Sequence, residues 1–198
     1  MFIDEIKKYN IILASQSPRR VALLQGLGLD FVHIKLTEID ETYPTDLYKN
    51  KIPVYIAKKK SDSYTQSLDN DDILITVDTI VWCRGELFGK PKSRNDAVRM
   101  LKSISNNVHE VLTGVCLRSA NKQHEFFVSS IVYFKELTDA EIDFYIDNYH
   151  PYDKAGAYGI QEWIGFIGLE RIEGSYFNVM GLPVQRLYIE LGKFVMQE

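Results

Sequence analysis

The first group of residues that could carry chemistry lies within six positions, in the segment Ser15-Gln16-Ser17-Pro18-Arg19-Arg20. This segment follows a short apolar strand and precedes a helix. Free backbone N–H groups at a helix start attract anions, and arginine binds phosphate oxygens bidentately. The segment therefore predicts an anion site suited to a polyphosphate, although an ordinary capped helix with solvated arginines explains the same residues equally well.

The second group consists of carboxylates. Asp78 interrupts the apolar and β-branched run from Ile73 to Trp82, where a buried charge is costly unless it is paired, hydrogen-bonded or bound to a metal. Its position predicts a functional carboxylate, and the alternative is a strand-end Asp held by backbone amides. The run Glu38-Ile39-Asp40-Glu41 adds hard oxygen ligands that suit Mg²⁺ or Mn²⁺, but short acidic runs are usually solvated.

Two basic segments come next. The run Lys58 to Lys60 is either a solvated helical face or a source of one or two lysines for a cleft. The segment from Gly85 to Pro91 has three residues between its glycines and a proline where a Walker A motif has Ser or Thr, so we interpret it as a tight turn that delivers Lys90.

A loop rich in small residues, 153–161, ends at Gln161. The carboxamide of Gln161 both donates and accepts hydrogen bonds, which suits the edge of a base. A plain connecting loop is an equally good interpretation. The four histidines show no metal-ligand spacing, and Cys83 and Cys116 lie far apart, so neither a histidine-based zinc site nor a disulfide framework is predicted.

Composition bounds the partners. The 198 residues, 45% of them hydrophobic, suffice for one compact domain or two lobes that share a sheet. The net charge of −4 argues against a nucleic-acid partner. No apolar run approaches the roughly 18 residues of a membrane span, and residues 1–10 lack the apolar region of a signal peptide, so we expect a cytoplasmic protein without a membrane partner.

The elements that must position these residues alternate between strands and helices, which predicts an α/β fold with a mixed sheet. The strands expected from apolar patterning are Ile11 to Ala14, Ile73 to Trp82, Val111 to Leu117, Phe126 to Phe134 and Phe166 to Ile172. Helices are expected after Pro18, from Pro53 to Ser67, around Ala97 to Ile104, after the capping box that begins at Thr138, and after Pro183.

Taken in order, these segments resemble the Maf family of nucleotide pyrophosphatases over nearly the whole chain. The matching motifs are LASQSPRR at 13–20, IDE at 39–41, VDTIV at 77–81, GKP at 89–91, HEVLTGV at 109–115, DKAGAYGIQ at 153–161 and GSYFNVMGLP at 174–183. The resemblance implies one Maf-like domain over 1–198, with an elongated mixed sheet flanked by helices and two lobes around a central cleft, as in inosine triphosphate pyrophosphatases.

The resemblance also implies a hydrolase that converts dTTP and UTP, or modified pyrimidine triphosphates, to the monophosphate and pyrophosphate. Its motif forms are similar to the dTTP/UTP branch and unlike the 7-methyl-GTP branch. Such an enzyme serves nucleotide metabolism by house-cleaning, uses a divalent cation (Mg²⁺ or Mn²⁺), and is expected to be a homodimer.

By the same resemblance, Asp78 corresponds to the general base or metal-holding carboxylate, and Glu41 to a second metal ligand. The triphosphate would be held by Arg19, Arg20, Lys60 and Lys90, with Ser15 at the same anion site. Substrate choice would depend on Arg19, Thr79 and Gln161. Two positions depart from the family pattern: Val77 replaces an Ala before Asp78, and Glu162 replaces a Gly after Gln161, where it adds a negative charge beside the carboxamide.

Two alternative functions follow from the same residues. One is the same hydrolysis of another modified or purine nucleoside triphosphate, because guanine shows a donor and acceptor pair similar to that of uracil. The other is a nucleotide-binding regulator of cell division without catalysis. The retained carboxylates and lysines weigh against the regulator, since a pure binder does not need a group that activates water.

Overall fold

The computed structural model describes residues 2–36 and 39–196. In that part of the chain the helices are α1 (Phe2–Ile6), α2 (Pro18–Gln25), α3 (Lys51–Asp62), α4 (Arg94–Ile104), α5 (Asp139–Tyr149), α6 (Trp163–Gly168), α7 (Tyr176–Met180) and α8 (Val184–Met196). The strands are β1 (Asn10–Ala14), β2 (Phe31–Ile34), β3 (Asp72–Cys83), β4 (Glu86–Phe88), β5 (Asn107–Arg118), β6 (Gln123–Phe134) and β7 (Leu169–Glu173).

The strands form a sheet in the order β2-β1-β3-β5-β6-β7, with β4 paired to β3. β1 runs parallel to both β2 and β3, whereas β4 runs antiparallel to β3 and β7 antiparallel to β6. The predicted α/β class, with a mixed sheet flanked by helices, is confirmed. No helix among the described residues combines the length and the apolar character that a membrane span requires.

The chain divides into two compact units, and three of its strands contribute residues to both. The first unit contains the residues up to Asp78, Thr113–Val128 and the residues from Gly181 onward. Its core includes strand residues Leu13, Ile75 and Leu117 and the α8 residues Leu187 and Leu191, which are all fully buried. The apolar spacing in α8 therefore matches the face that it buries.

The second unit contains Thr79–Leu112 and Ser129–Met180. Fully buried side chains from α4, β6, α5 and α6 form its core, among them Leu101, Val132, Tyr145 and Ile164. The capping box predicted at the start of α5 is confirmed, because both reciprocal hydrogen bonds between Thr138 and Glu141 are present.

Several predicted boundaries are wrong. β5 and β6 begin earlier than predicted, at Asn107 and Gln123, and two predicted elements extend too far. The helix expected to reach Ser67 ends at Asp62, where the N–H of Ser63 closes the last turn on the carbonyl of Lys59. The strand expected from Phe166 begins only at Leu169, because the residues before it belong to α6. The apolar run fits either element, and Gly165 permits the helix: a Cβ there would lie 1.9 Å from the carbonyl oxygen of Ile160.

Sequence patterning missed the short elements α1, β2, β4 and α7. Each has five residues or fewer, too few to establish a period.

Candidate active site

The junction between β1 and α2 is ordered by Ser15. This buried residue donates its N–H to the carbonyl of Ile34 (3.1 Å), and its hydroxyl accepts the N–H of Ser17 (3.2 Å). Ser17 is the residue before the first turn of α2, and Pro18 begins the helix, where a missing N–H costs nothing. The predicted strand, loop and helix are confirmed, and Arg19 lies half-buried in the first turn.

Arg20 connects this junction to two other segments of the first unit. Its Nε donates to the carbonyl of Gly181 (2.9 Å), and its Nη1 donates to the carbonyl of Val77 (3.0 Å) and to the Ser15 hydroxyl (3.4 Å). Burial lowers the pKa of Arg20 to about 10, and the charge of Asp78 opposes that shift. Arg20 therefore stays cationic at neutral pH and fixes the backbone immediately before Asp78.

Two close contacts set helix α3 against the sheet. The Thr76 hydroxyl of β3 donates to the carbonyl of Ala57 (2.7 Å), and both residues are fully buried. At Gly114, a Cβ would lie 2.3 Å from the carbonyl carbon of Pro53, so only glycine allows this approach of the helix. Asp78 lies two residues after Thr76 on the same strand face, and Lys60 lies almost one turn after Ala57.

The result is an ion-pair cluster in the first unit. The Lys60 ammonium contacts Oδ1 of Asp78 (2.6 Å) and Oε1 of Glu41 (2.9 Å). Asp78 is 7% exposed, so its charge is desolvated and the pairing with Lys60 matters, whereas the Glu41 side chain is 45% exposed. Because β1 pairs with β3 through Ala14 and Thr76, Asp78 lies just beyond the carboxyl end of β1, the edge of a parallel sheet at which ligands bind.

The neighbouring charges have other partners. Lys58 pairs with Asp62 (2.8 Å) and Lys59 with Asp40 (3.2 Å), so of this run it is Lys60 that reaches Asp78. Hydrogen bonds from Thr42 and from Lys59 lower the pKa of Asp40 to about 2. Asp40 is thus engaged away from Asp78, and Glu38 of the predicted acidic run lies outside the described residues.

Three predicted site residues belong to the second unit. Thr79 follows Asp78 directly in β3, and Lys90 is exposed after β4. The N–H of Gly156 donates to the carbonyl of Gly89 (3.0 Å), which ties the segment that carries Lys90 to the loop that leads to Gln161. Within residues 39–196, Oε1 of Gln161 is buried and has no hydrogen-bond partner. An unsatisfied buried acceptor is costly, and a donor group of a bound ligand is one partner that would complete it.

Comparison with known proteins identifies the family. The family model for Maf-like proteins matches residues 10–194. The chain belongs to the Maf family.

Relatives of this Maf chain are similar over their full length. A dTTP/UTP pyrophosphatase of Parabacteroides distasonis is 52% identical over 97% of this chain and 100% of that protein. Proteins of the same name from Phocaeicola vulgatus and Bacteroides thetaiotaomicron are 53% and 51% identical, each over 96% of this chain and 99% of the relative. A HAM1 protein from Coxiella burnetii shows a structural likeness too weak to support an argument, with a TM-score of 0.40 and 15% identity over 62% of this chain and 70% of that one.

The donor set at the cluster fits a divalent cation of the kind expected for a Maf protein. Glu41 and Asp78 share one ammonium ion, so their oxygens face a common point. Among the described residues there is no group of three or more His, Cys, Asp or Glu side chains that could hold a metal. Two carboxylates completed by substrate phosphates and water are the usual arrangement for Mg²⁺.

The sequence did not reveal how the loop before Gln161 is held. His109 contacts the Tyr158 hydroxyl (2.7 Å), and both side chains are buried. Glu162, whose charge departs from the Maf pattern, contacts the ammonium of buried Lys154 (3.1 Å) and accepts a hydrogen bond from the Tyr145 hydroxyl. The Lys154 ammonium also contacts Asp153 (2.7 Å), so the added carboxylate shares its cation with a second one. A buried ion pair between residues eight positions apart leaves no periodic signal in the sequence, although HEVLTGV and DKAGAYGIQ already contained His109 and Lys154.

Proposed function

We propose that this Maf chain hydrolyses dTTP and UTP to the nucleoside monophosphate and pyrophosphate. The observation that carries the proposal is the cluster of Lys60 with Asp78 and Glu41 beside the β1–α2 junction. It combines a desolvated carboxylate with cationic groups suited to phosphate, in a chain that is about half identical to proteins named dTTP/UTP pyrophosphatase.

In the proposed reaction, the oxygen of a water molecule attacks the α-phosphorus and Asp78 takes a proton from that water. The bond from the α-phosphorus to the oxygen that bridges to the β-phosphate breaks, and pyrophosphate leaves with the electron pair. Asp78 suits the base role because it lies on a rigid, buried strand, and the ammonium of Lys60 (2.6 Å) fixes its carboxylate.

The basic residues would hold the triphosphate. Ser15, Arg19 and the N–H groups at the start of α2 would bind phosphate oxygens. Arg20 would act chiefly by holding this junction against Val77 and Gly181, since its Nε and Nη1 already donate to those carbonyls. We assign Lys90 to the leaving pyrophosphate, and Thr79 and Gln161 to the choice of substrate.

We also propose that Glu41 and Asp78 bind Mg²⁺ or Mn²⁺. A bound cation would lower the pKa of water and neutralise the charge that develops on the phosphates. Asp78 must be ionised both to bind the cation and to accept a proton from water, so the two roles are compatible.

The test is an assay of purified protein with Mg²⁺ or Mn²⁺ and a panel of canonical and modified nucleoside triphosphates, in which pyrophosphate and orthophosphate are measured separately. We expect pyrophosphate chiefly from dTTP and UTP, and a loss of kcat on the order of 10³-fold with little change in KM for Asp78→Asn. Asp71→Asn, which alters an exposed carboxylate just before β3, is the matched control. Release of orthophosphate alone, or unchanged turnover in Asp78→Asn, would contradict the proposal.

A homodimeric state and a cytoplasmic location stay predictions, as does a single Maf-like domain over 1–198. Light scattering on the purified protein and fractionation of cells that express it would test the first two. Cooperative unfolding in a single transition would support the third.

A further inference from the structure

Gln161 presents an unusual feature for a side chain that is largely enclosed. Its Oε1 atom is buried and has no hydrogen-bond partner within the described residues. Burying an acceptor without a donor is unfavourable. Another interaction must therefore stabilise the observed orientation of the carboxamide over the rotated one.

The neighbour at the other end of the carboxamide is Glu162. The position that a Cβ atom on Gly159 would occupy lies 3.0 Å from Nε2 of Gln161 and 2.9 Å from Oε2 of Glu162. Both atoms lie beside the same position, and Nε2, not Oε1, is the carboxamide atom among its three nearest neighbours. The hydrogens of Nε2 carry positive charge and are favoured near a carboxylate. Rotation of the carboxamide by half a turn would bring the negative oxygen towards that charge, which is unfavourable at low dielectric.

Glu162 is itself fixed by buried groups. Its carboxylate is paired with Lys154, whose side chain is 8% exposed, and it accepts a hydrogen bond from the Tyr145 hydroxyl. That hydroxyl in turn accepts the N–H of Gly159 (2.9 Å), and the N–H of Glu162 donates to the carbonyl of Gly159 (3.0 Å). Burial and the contact with Glu162 raise the pKa of Tyr145, so the hydroxyl remains a donor.

We propose that Glu162, held by Lys154 and Tyr145, is a positioning residue that keeps the Gln161 carboxamide in the orientation that offers its oxygen to the base. The inference rests on the proposed function, in which Gln161 contacts the base. An acceptor at this point favours uracil and thymine, whose N3 carries a hydrogen, over cytosine, whose N3 is an acceptor. The residue that departs from the family pattern would thus sharpen the selection for UTP and dTTP.

The experiment compares Glu162→Gln with wild type. This variant keeps the shape of the side chain and its ability to accept from Tyr145, but it removes the charge that orients Gln161. We expect the ratio of kcat/KM for UTP to that for CTP to fall by about tenfold. A purely structural defect would lower both values together and leave the ratio unchanged. Glu170→Gln, which alters an exposed carboxylate on β7, is the control.

A second variant keeps the ion pair between Lys154 and Glu162. Tyr145→Phe retains the carboxylate and the ammonium but deletes the hydroxyl that fixes them, and we expect a fall in the ratio in the same direction. Tyr149→Phe is its control, since Tyr149 stacks on Tyr145 and its hydroxyl makes no hydrogen bond with any residue that the structure describes.

Binding of UMP and CMP by calorimetry separates the inference from the proposed function. If wild type hydrolyses UTP but both variants keep the wild-type ratio, the inference is overturned and the function stands. If wild type releases no pyrophosphate, yet Glu162→Gln reduces the preference for UMP over CMP, the function is overturned and the positioning role stands.

Discussion

Lys60 lies on helix α3 and Asp78 on strand β3, whereas Gln161 lies in an irregular segment between α5 and α6. In the first region the charged groups satisfy one another, because one ammonium ion serves two carboxylates. In the second region a neutral acceptor is left unsatisfied, and the charges around it are used to hold the loop.

The difference shows two ways of preparing side chains for a ligand. A charge that is to act on phosphate needs a partner before the substrate arrives, since a lone buried charge is too costly. A group that recognises a base is neutral, so it can remain unpaired at a smaller cost and gain its partner from the ligand.

The largest effect expected from this comparison concerns Lys60. In Lys60→Met, buried Asp78 loses its ammonium, so we expect the free energy of unfolding to fall by about 3 kcal/mol and pyrophosphate release to fall by about 100-fold. Urea denaturation and the pyrophosphate assay would measure the two effects. Lys58→Met is the control, because the pair between Lys58 and Asp62 is exposed and contributes only about 0.3–0.5 kcal/mol. If the two variants lost equal stability and equal activity, the pairing of Lys60 with Asp78 would contribute no more than an exposed ion pair.

The next effect is a dependence of stability on pH that arises from His109 in the second region. Burial lowers the pKa of His109 to about 3, well below the roughly 6.5 of an unfolded histidine. As the pH falls below 6.5 the unfolded chain takes up a proton that the folded chain refuses, so the stability present above that pH is progressively lost down to about pH 3. Between pH 7 and pH 5 this histidine alone should reduce the free energy of unfolding by about 2 kcal/mol.

Denaturation of His109→Gln at the two pH values checks this expectation, because the variant should lack that part of the loss. His150→Asn serves as the control, since His150 is exposed and its left-handed backbone conformation (φ 47°) is one that Asn tolerates. If His109→Gln lost as much stability as wild type between pH 7 and pH 5, the buried, neutral state of His109 would be refuted.

The smallest effect separates the two carboxylates of the first region. Glu41 is half-exposed, so in Glu41→Gln the protein should fold normally but require about tenfold more Mg²⁺ for half-maximal activity, because one ligand charge is lost. Titration of Mg²⁺ in the pyrophosphate assay would measure the change. Asp40→Asn, in which the altered carboxylate is bound to Thr42 and Lys59, should leave the requirement unchanged.

Much of the first region could be predicted from the sequence. Asp78 stands out because it is a charge inside an apolar run. The segment from Ser15 to Arg20 stands out because it carries the residues that typically start a helix. The selection of Lys60 from three consecutive lysines could not be predicted, since it depends on the contacts of Thr76 with Ala57 and of Gly114 with Pro53.

The second region was less predictable. The small-residue loop pointed to Gln161, but a plain connecting loop explained it equally well until the resemblance to the Maf family was added. The added charge of Glu162 could be interpreted only once Lys154 and Tyr145 were seen beside it. Polar contacts between distant positions have no period along the chain, so patterning of a single sequence does not reveal them. The wrong start of β7 has a different cause, since the short apolar run after Trp163 fits either a helix or a strand.

Strand β3 carries Asp78 as the last residue of the first unit and Thr79 as the first residue of the second. Successive side chains of a strand point to opposite faces, so the loss or gain of one residue between Thr76 and Asp78 would move Asp78 and every later position of β3 to the other face. Thr76 and Asp78 would then no longer share a face. A substitution in this strand changes one side chain, whereas a change in its length moves many side chains to the opposite face. We therefore expect variation in length to be confined to loops such as residues 63–71.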